Sequence, residues 1–281
     1  MPPLLRRCLI ALLPLLAAPQ LWADERAQPL WEAGMMLGAT AIPHYMGSDQ
    51  SYTVALPLPY LIYRGERFKL DRDGARGLVI DGGRVSLDVG LSAGMPVSGG
   101  ANRARAGMSA LPLTMEAGPR LNIRISKDAA AVERIVRIPV RGVFDVQGRG
   151  YGWVLEPRYT ARFDSQEDNW KLRLDVGMLV ASQRYLETYY GVAPAQATAE
   201  RATYTSGSGL HSLFAYVTGD LPLGNHLWIK GFTKIRTLAP GVVRDSPLVK
   251  RNTNLTVGAL LIWLPWQSDE RVNSLDLASG K

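Results

Sequence analysis

The chain has 281 residues, a mean hydropathy of −0.03 and a formal net charge of +7. A single cysteine, Cys8, excludes a disulfide framework and cysteine-based metal or nucleophile chemistry. The basic residues are scattered, with no basic tail and no basic helix face, which argues against a nucleic-acid partner.

The N-terminus reads as a secretory signal. Arg6 and Arg7 form a positive start, Leu9 to Ala18 is apolar around Pro14, and Leu21-Trp22-Ala23 offers a cleavage site before Asp24. The apolar run is too short to be a comfortable membrane anchor. Cys8 follows Arg7, which is not a lipoprotein arrangement. Loss of residues 1–23 would remove Cys8, Arg6, Arg7 and no acid, leaving a charge of +5.

After residue 24 no run reaches the ~18 apolar residues of a spanning helix. Hydropathy alternates instead. From Val85 to Met95, apolar residues alternate with Ser86, Asp88, Gly90, Ser92 and Gly94. From Leu111 to Ser126 all eight odd positions are apolar and seven of the eight even ones are polar or glycine. Residues 153–163 and 170–180 repeat the pattern. A period of two is a strand between two different environments. These runs exceed the ~5–6 residues of an ordinary strand and suit the ~9–11 of a tilted strand crossing a bilayer. A soluble sandwich or lipocalin-like barrel also alternates. Aromatics near the strand ends (Tyr151, Trp153, Phe163, Trp170, Trp228, Trp263) resemble the interfacial girdles of membrane barrels. The expected fold is therefore all-β: a transmembrane antiparallel β-barrel over 24–264, with a polar C-terminal tail over 265–281.

Eleven runs are readable, near 30–40, 52–63, 66–80, 83–96, 111–126, 131–146, 152–163, 169–182, 208–221, 226–238 and 253–264. Single-chain bacterial barrels have even strand numbers. Division of 66–80 at Asp73-Gly74 gives twelve, and then every long connection lies at one end and both termini at the other. Ten is the alternative. Leu56-Pro57-Leu58-Pro59 puts prolines at alternate positions, the mark of a strand edge or end, since proline cannot donate to a ladder.

Chemistry is sparse. No metal-ligand spacing, phosphate loop or dinucleotide fingerprint appears, and no cofactor is expected. His44 lies in a loop, His226 at a short turn and His211 at a strand start. Ser208 and Ser212 flank His211 at odd separations, so strand alternation turns them to the opposite face and argues against a hydrolase. The expected polar faces of 111–182 carry Glu116, Arg120, Arg124, Glu133, Arg137, Arg141, Glu156, Arg158, Arg162, Lys171, Arg173 and Asp175, a local +4. They form either a basic passage for anions or an ion-pair network filling a narrow lumen. The last strand, with Thr256, Gly258, Leu261 and Trp263, resembles the terminal signal that outer-membrane barrels present to their assembly machinery. That signal normally closes the chain, so Gln267 to Lys281 is expected to be a mobile, dispensable periplasmic tail.

Several stretches together resemble the MltA-interacting protein (MipA/OmpV) family. They are Pro43-His44-Tyr45-Met46-Gly47-Ser48-Asp49, Leu58-Pro59-Tyr60-Leu61-Ile62-Tyr63-Arg64-Gly65, Asp71-Arg72-Asp73-Gly74, Glu187-Thr188-Tyr189-Tyr190-Gly191-Val192 and Asp245-Ser246-Pro247-Leu248-Val249. Read from the residues alone, these set turns and loop geometry. The resemblance implies an outer-membrane protein of a Gram-negative bacterium in contact with lipid and barrel-assembly machinery. It implies a non-enzymatic scaffold for cell-wall growth, joining a lytic transglycosylase to a murein synthase. A narrow pore for small solutes, anions among them, or a surface adhesin is the alternative.

Overall fold

The computed structural model describes residues 28–71, 74–94, 102–127, 132–165 and 170–272. The signal segment 1–23 and the end of the tail, 273–281, lie outside the described residues.

Strands come in chain order as β1 (Gln28–Pro29), β2 (Trp31–Pro43), β3 (Ser51–Arg64), β4 (Phe68–Asp71), β5 (Gly74–Asp81), β6 (Val85–Gly94), β7 (Thr114–Lys127) and β8 (Val132–Asp145). There follow β9 (Gly150–Leu155), β10 (Arg158–Asp164), β11 (Lys171–Ala181), β12 (Gly209–Pro222), β13 (Leu227–Thr237), β14 (Thr253–Gln267) and β15 (Arg271–Val272). From β2 to β9 and from β10 to β14 each strand pairs antiparallel with the next, and β14 pairs with β2, from Val257 opposite Ala41 to Gln267 opposite Glu32. β8 pairs with both β9 and β10, and so does β11. Hence β9 and β10 are one stave broken at Glu156-Pro157, and β2 to β14 close a barrel of twelve staves. The division expected at Asp73-Gly74 is present: β4 ends at Asp71, and β5 begins at Gly74 with a φ of +94°, a region that favours glycine.

The alternation read from the sequence sorts into an outside and an inside. Met35 and Leu37 on β2, Leu174, Val176 and Met178 on β11, and Leu255, Val257, Leu261 and Trp263 on β14 are exposed on the outer wall. Asp88, Arg120, Arg137, Asp175, Arg236 and Asn254, at the intervening parity of their strands, are buried. An exposed apolar belt around a closed wall is the surface lipid requires. The proline pair also sits as its chemistry demands. The Arg64 N–H bonds Leu30 O, so the even-numbered amides of β3 turn towards β2. Pro57 and Pro59 therefore face the other edge, where β4 pairs only with Tyr63 and Arg64.

Some expectations need correction. Trp228 is not part of a girdle; it packs inside against a cluster of Ile62, Ile262 and Leu264. The last strand runs to Gln267, three residues beyond the expected end at 264. Ser268 accepts from the Trp31 N–H at 3.1 Å and its own N–H bonds Trp31 O, while β15 pairs with β1. The first part of the expected mobile tail is thus fastened to the barrel. A helix, α1 (Gln183–Tyr190), also stands in the connection 183–207, where none was expected.

Candidate functional site: a capped basic lumen

At the long-loop end, four connections fold over and into the barrel mouth. Tyr45, Leu186, Tyr190, Leu238, Val243 and Leu248 are at most 4% exposed and pack on Val143, Val154 and Leu179 of the wall. Helix α1 forms because Ser182 caps it: its Oγ accepts from the Tyr185 N–H and also from the Trp153 N–H. Leu186 and Tyr190, four apart, then bury one helical face.

Polar groups fasten the cap across the sequence. The Tyr45 hydroxyl donates to Leu248 O at 2.8 Å and the Tyr190 hydroxyl to Met46 O at 2.8 Å. Asn254 accepts from the Gly47 N–H at 2.6 Å and donates to Ser48 O at 2.8 Å. Arg201 donates to Gln196 O, Ala104 O and Ala106 O. Arg105 donates to Tyr189 O at 2.9 Å and lies over the Tyr45 ring. Burial pushes the Tyr45 phenol up to about 12 against the opposing pull of Arg105, and raises Tyr190 well above its ordinary value.

The serine–histidine geometry differs from strand alternation. A bulge between Leu179 and Val180 shifts the pairing beside His211, and Ser212 Oγ lies 2.8 Å from His211 Nδ1. Tyr190 holds the other ring nitrogen at 2.7 Å. Ser212 is 0% exposed and His211 2%, so the pair lies sealed under the cap, with a tyrosine and, among the described hydrogen bonds, no carboxylate orienting the ring. Ser208 has no such contact with His211 among the described hydrogen bonds.

Below the cap lies the charged layer. Arg120 grips Asp88 through Nε and Nη2 at 2.9 and 3.0 Å, and Arg124 meets Glu133 at 2.8 Å. Arg141 meets Glu116 at 2.9 Å, Arg162 meets Glu133 at 3.5 Å, and Arg173 meets Asp175 at 2.7 Å. Glu156, at the break between β9 and β10, gathers Arg158 at 3.4 Å, Arg141 at 4.0 Å and, across the lumen from β13, Arg236 at 3.0 Å. Arg137 is buried on the same inner face, and Lys171 stands near the rim. The twelve charged residues singled out in the sequence thus share one interior.

Sequence reasoning confined to 111–182 missed their partners. Asp88, Asp220, Lys230, Lys234 and Arg236 carry the same alternation on β6, β12 and β13, which was the signal available. Lys234 lies 4.8 Å over the Phe214 ring and Asp220 lies 3.8 Å from Lys230.

At the short-turn end the lumen widens into a cavity of about 390 Å³. Its basic lining is Arg64, Arg76, Arg120, Arg137, Arg158, Arg162, Lys171, Arg173 and Lys230, against the acids Asp164 and Asp220. Gln28, Ile62, Leu172, Tyr216 and Thr218 are its other described lining residues.

The residues of the expected end signal fall on both faces of β14. Leu261 and Trp263 are exposed outside, while Thr256 and Gly258 share the inner parity of buried Asn254 and Ile262. The Phe232 ring covers Gly258 so closely that a Cβ there would lie 2.4 Å from a ring carbon.

No curated protein matches this chain. The protein-family profile described as MltA-interacting protein MipA matches residues 35–264, from near the start of β2 through most of β14. With that span of barrel matched, the chain belongs to the MltA-interacting protein MipA family.

Proposed function

We propose that this protein is an outer-membrane scaffold. Its barrel is anchored in lipid and blocked to solutes, and its short-turn side holds murein enzymes, a lytic transglycosylase and a murein synthase. It performs no catalysis itself. Residues 1–23 deliver it to the periplasm and are removed. The observation that carries the reading is the cap. A layer of buried apolar side chains crosses the long-loop end, whereas the polar interior opens at the end that holds both termini. A conducting channel needs a wetted path through, and the apolar layer opposes one. The family's description as an interacting protein supports the same reading.

The test joins two measurements on the purified barrel. In planar bilayers it should show no steady conductance. Immobilised in micelles, it should retain a lytic transglycosylase and a murein synthase from solution, each added pure. Steady conductance without retention of either enzyme would replace the scaffold with a pore.

A further inference from the structure

We infer that the cavity at the short-turn end is a binding site for a small oligoanion, a molecule carrying two or more carboxylate or phosphate groups, and that it is a dead end rather than a passage. The inference does not depend on the scaffold reading.

The placement of the acids carries it. Asp88, Glu133, Glu156 and Asp175 pair with arginines of the cavity wall and are not among its described lining residues. Arg120 shows the geometry best: Nε and Nη2 are spent on Asp88, which leaves the Nη1 end of the fork directed away from the carboxylate, at the cavity that Arg120 lines. Arg173 meets Asp175 through the same two nitrogens. A network built only to cancel charge would place carboxylates among the arginines. Among the described lining residues cations outnumber acids nine to two, with Asp220 beside Lys230 and Asp164 exposed.

Such a wall is pre-organised. The side-chain entropy of fixing the arginines is lost on folding, not on binding. An excess of one sign of charge on low-dielectric walls focuses the field, which draws a multivalent anion. The volume of about 390 Å³ lies in the range of small-molecule sites, and Ile62, Leu172 and Tyr216 give apolar surface for a ligand's body. The apolar cap closes the far end, so an anion that enters is retained and not transmitted.

The test uses the mature barrel refolded in zwitterionic detergent at low ionic strength. Tripolyphosphate and citrate are titrated by calorimetry, with acetate as the monovalent control. One saturable site per barrel is expected, weakening as salt rises, with acetate at least about tenfold weaker than the better oligoanion. Preference for tripolyphosphate or for citrate distinguishes phosphate from carboxylate ligands. Arg76→Gln and Lys171→Gln, at the wall, should each weaken binding about tenfold while the barrel still migrates as folded. Arg244→Gln, on the exposed long-loop side, should leave affinity unchanged. The inference is overturned if neither oligoanion saturates, if acetate binds as well, or if Arg244→Gln weakens binding as much as Arg76→Gln. Steady anion flux in planar bilayers would overturn the dead end.

Discussion

At the scale of single residues, burial separates the ion pairs that matter from those that do not. Arg120 and Asp88 are both nearly buried and joined by two short bonds. Arg120→Ala would strand Asp88 in a confined interior, at a cost on the order of a few kcal/mol. The temperature at which the folded barrel shifts on a gel should fall clearly. Arg244→Ala breaks a pair whose members are both more than half exposed, and that temperature should not move. The Tyr45 phenol, raised by burial to about 12, predicts an alkaline limit for the cap. In the unfolded chain tyrosine loses its proton near pH 10. The stabilisation from the neutral phenol is therefore complete below about pH 10 and disappears as pH rises from about 10 to 12. Protease nicking of the long connections should increase across that window, and Tyr45→Phe should make it flatter. Nicking that tracks pH equally in both proteins would assign the alkaline limit elsewhere. Residue types and their face were legible in the sequence for Arg120 and its companions, because alternation reports the face directly. Their partners were not, since Arg236 reaches Glu156 only once the closed wall turns β13 towards β9. Ser212 beside His211 was illegible for a different reason: a bulge overrides strict alternation.

At the scale of elements, β14 is the seam that closes the barrel, and the expected end signal lies on it. Gly258 is covered by Phe232, so a side chain there collides within the lumen. Gly258→Ala should lower the yield of folded barrel. Phe232→Ala in the same chain should restore it if the glycine serves packing. If the glycine is read by the assembly machinery, the second change restores nothing, and packing is not its role. The tail divides in the same way. Removing residues 273–281 should leave the heat-shift temperature unchanged. Removing 268–281 takes away Ser268, which is bonded to both backbone groups of Trp31, and should lower it. Equal behaviour of the two truncations would show that the β1–β15 ribbon adds no stability. Strand positions were legible to within about three residues because period two persists through each crossing. Helix α1 was not: eight residues give too few turns for a helical period to stand out, and its Ser182 cap reads equally as loop chemistry.

At the scale of the whole molecule, the described long connections gather at one end and the β1–β15 ribbon lies at the other, as parity required. After Cys8 the sequence has no cysteine, so single cysteines placed in the barrel report the sidedness cleanly. A cysteine at Ala195 should react with an impermeant maleimide in intact cells, and one at Asn225 should react only after the outer membrane is breached. The reverse pattern would invert the barrel and move the basic cavity to the cell surface. The cap also sets an order of events in time. Tyr45 bonds a residue 203 positions away, and Asn254 bonds partners 206 and 207 positions away. These contacts carry the full loop-closure cost until β14 has zipped onto β2, after which the same ends lie side by side at little extra cost. The cap therefore forms last, after the wall is complete. A barrel arrested with its seam open would have its long connections unfastened, so their sudden resistance to protease marks the moment at which folding finishes.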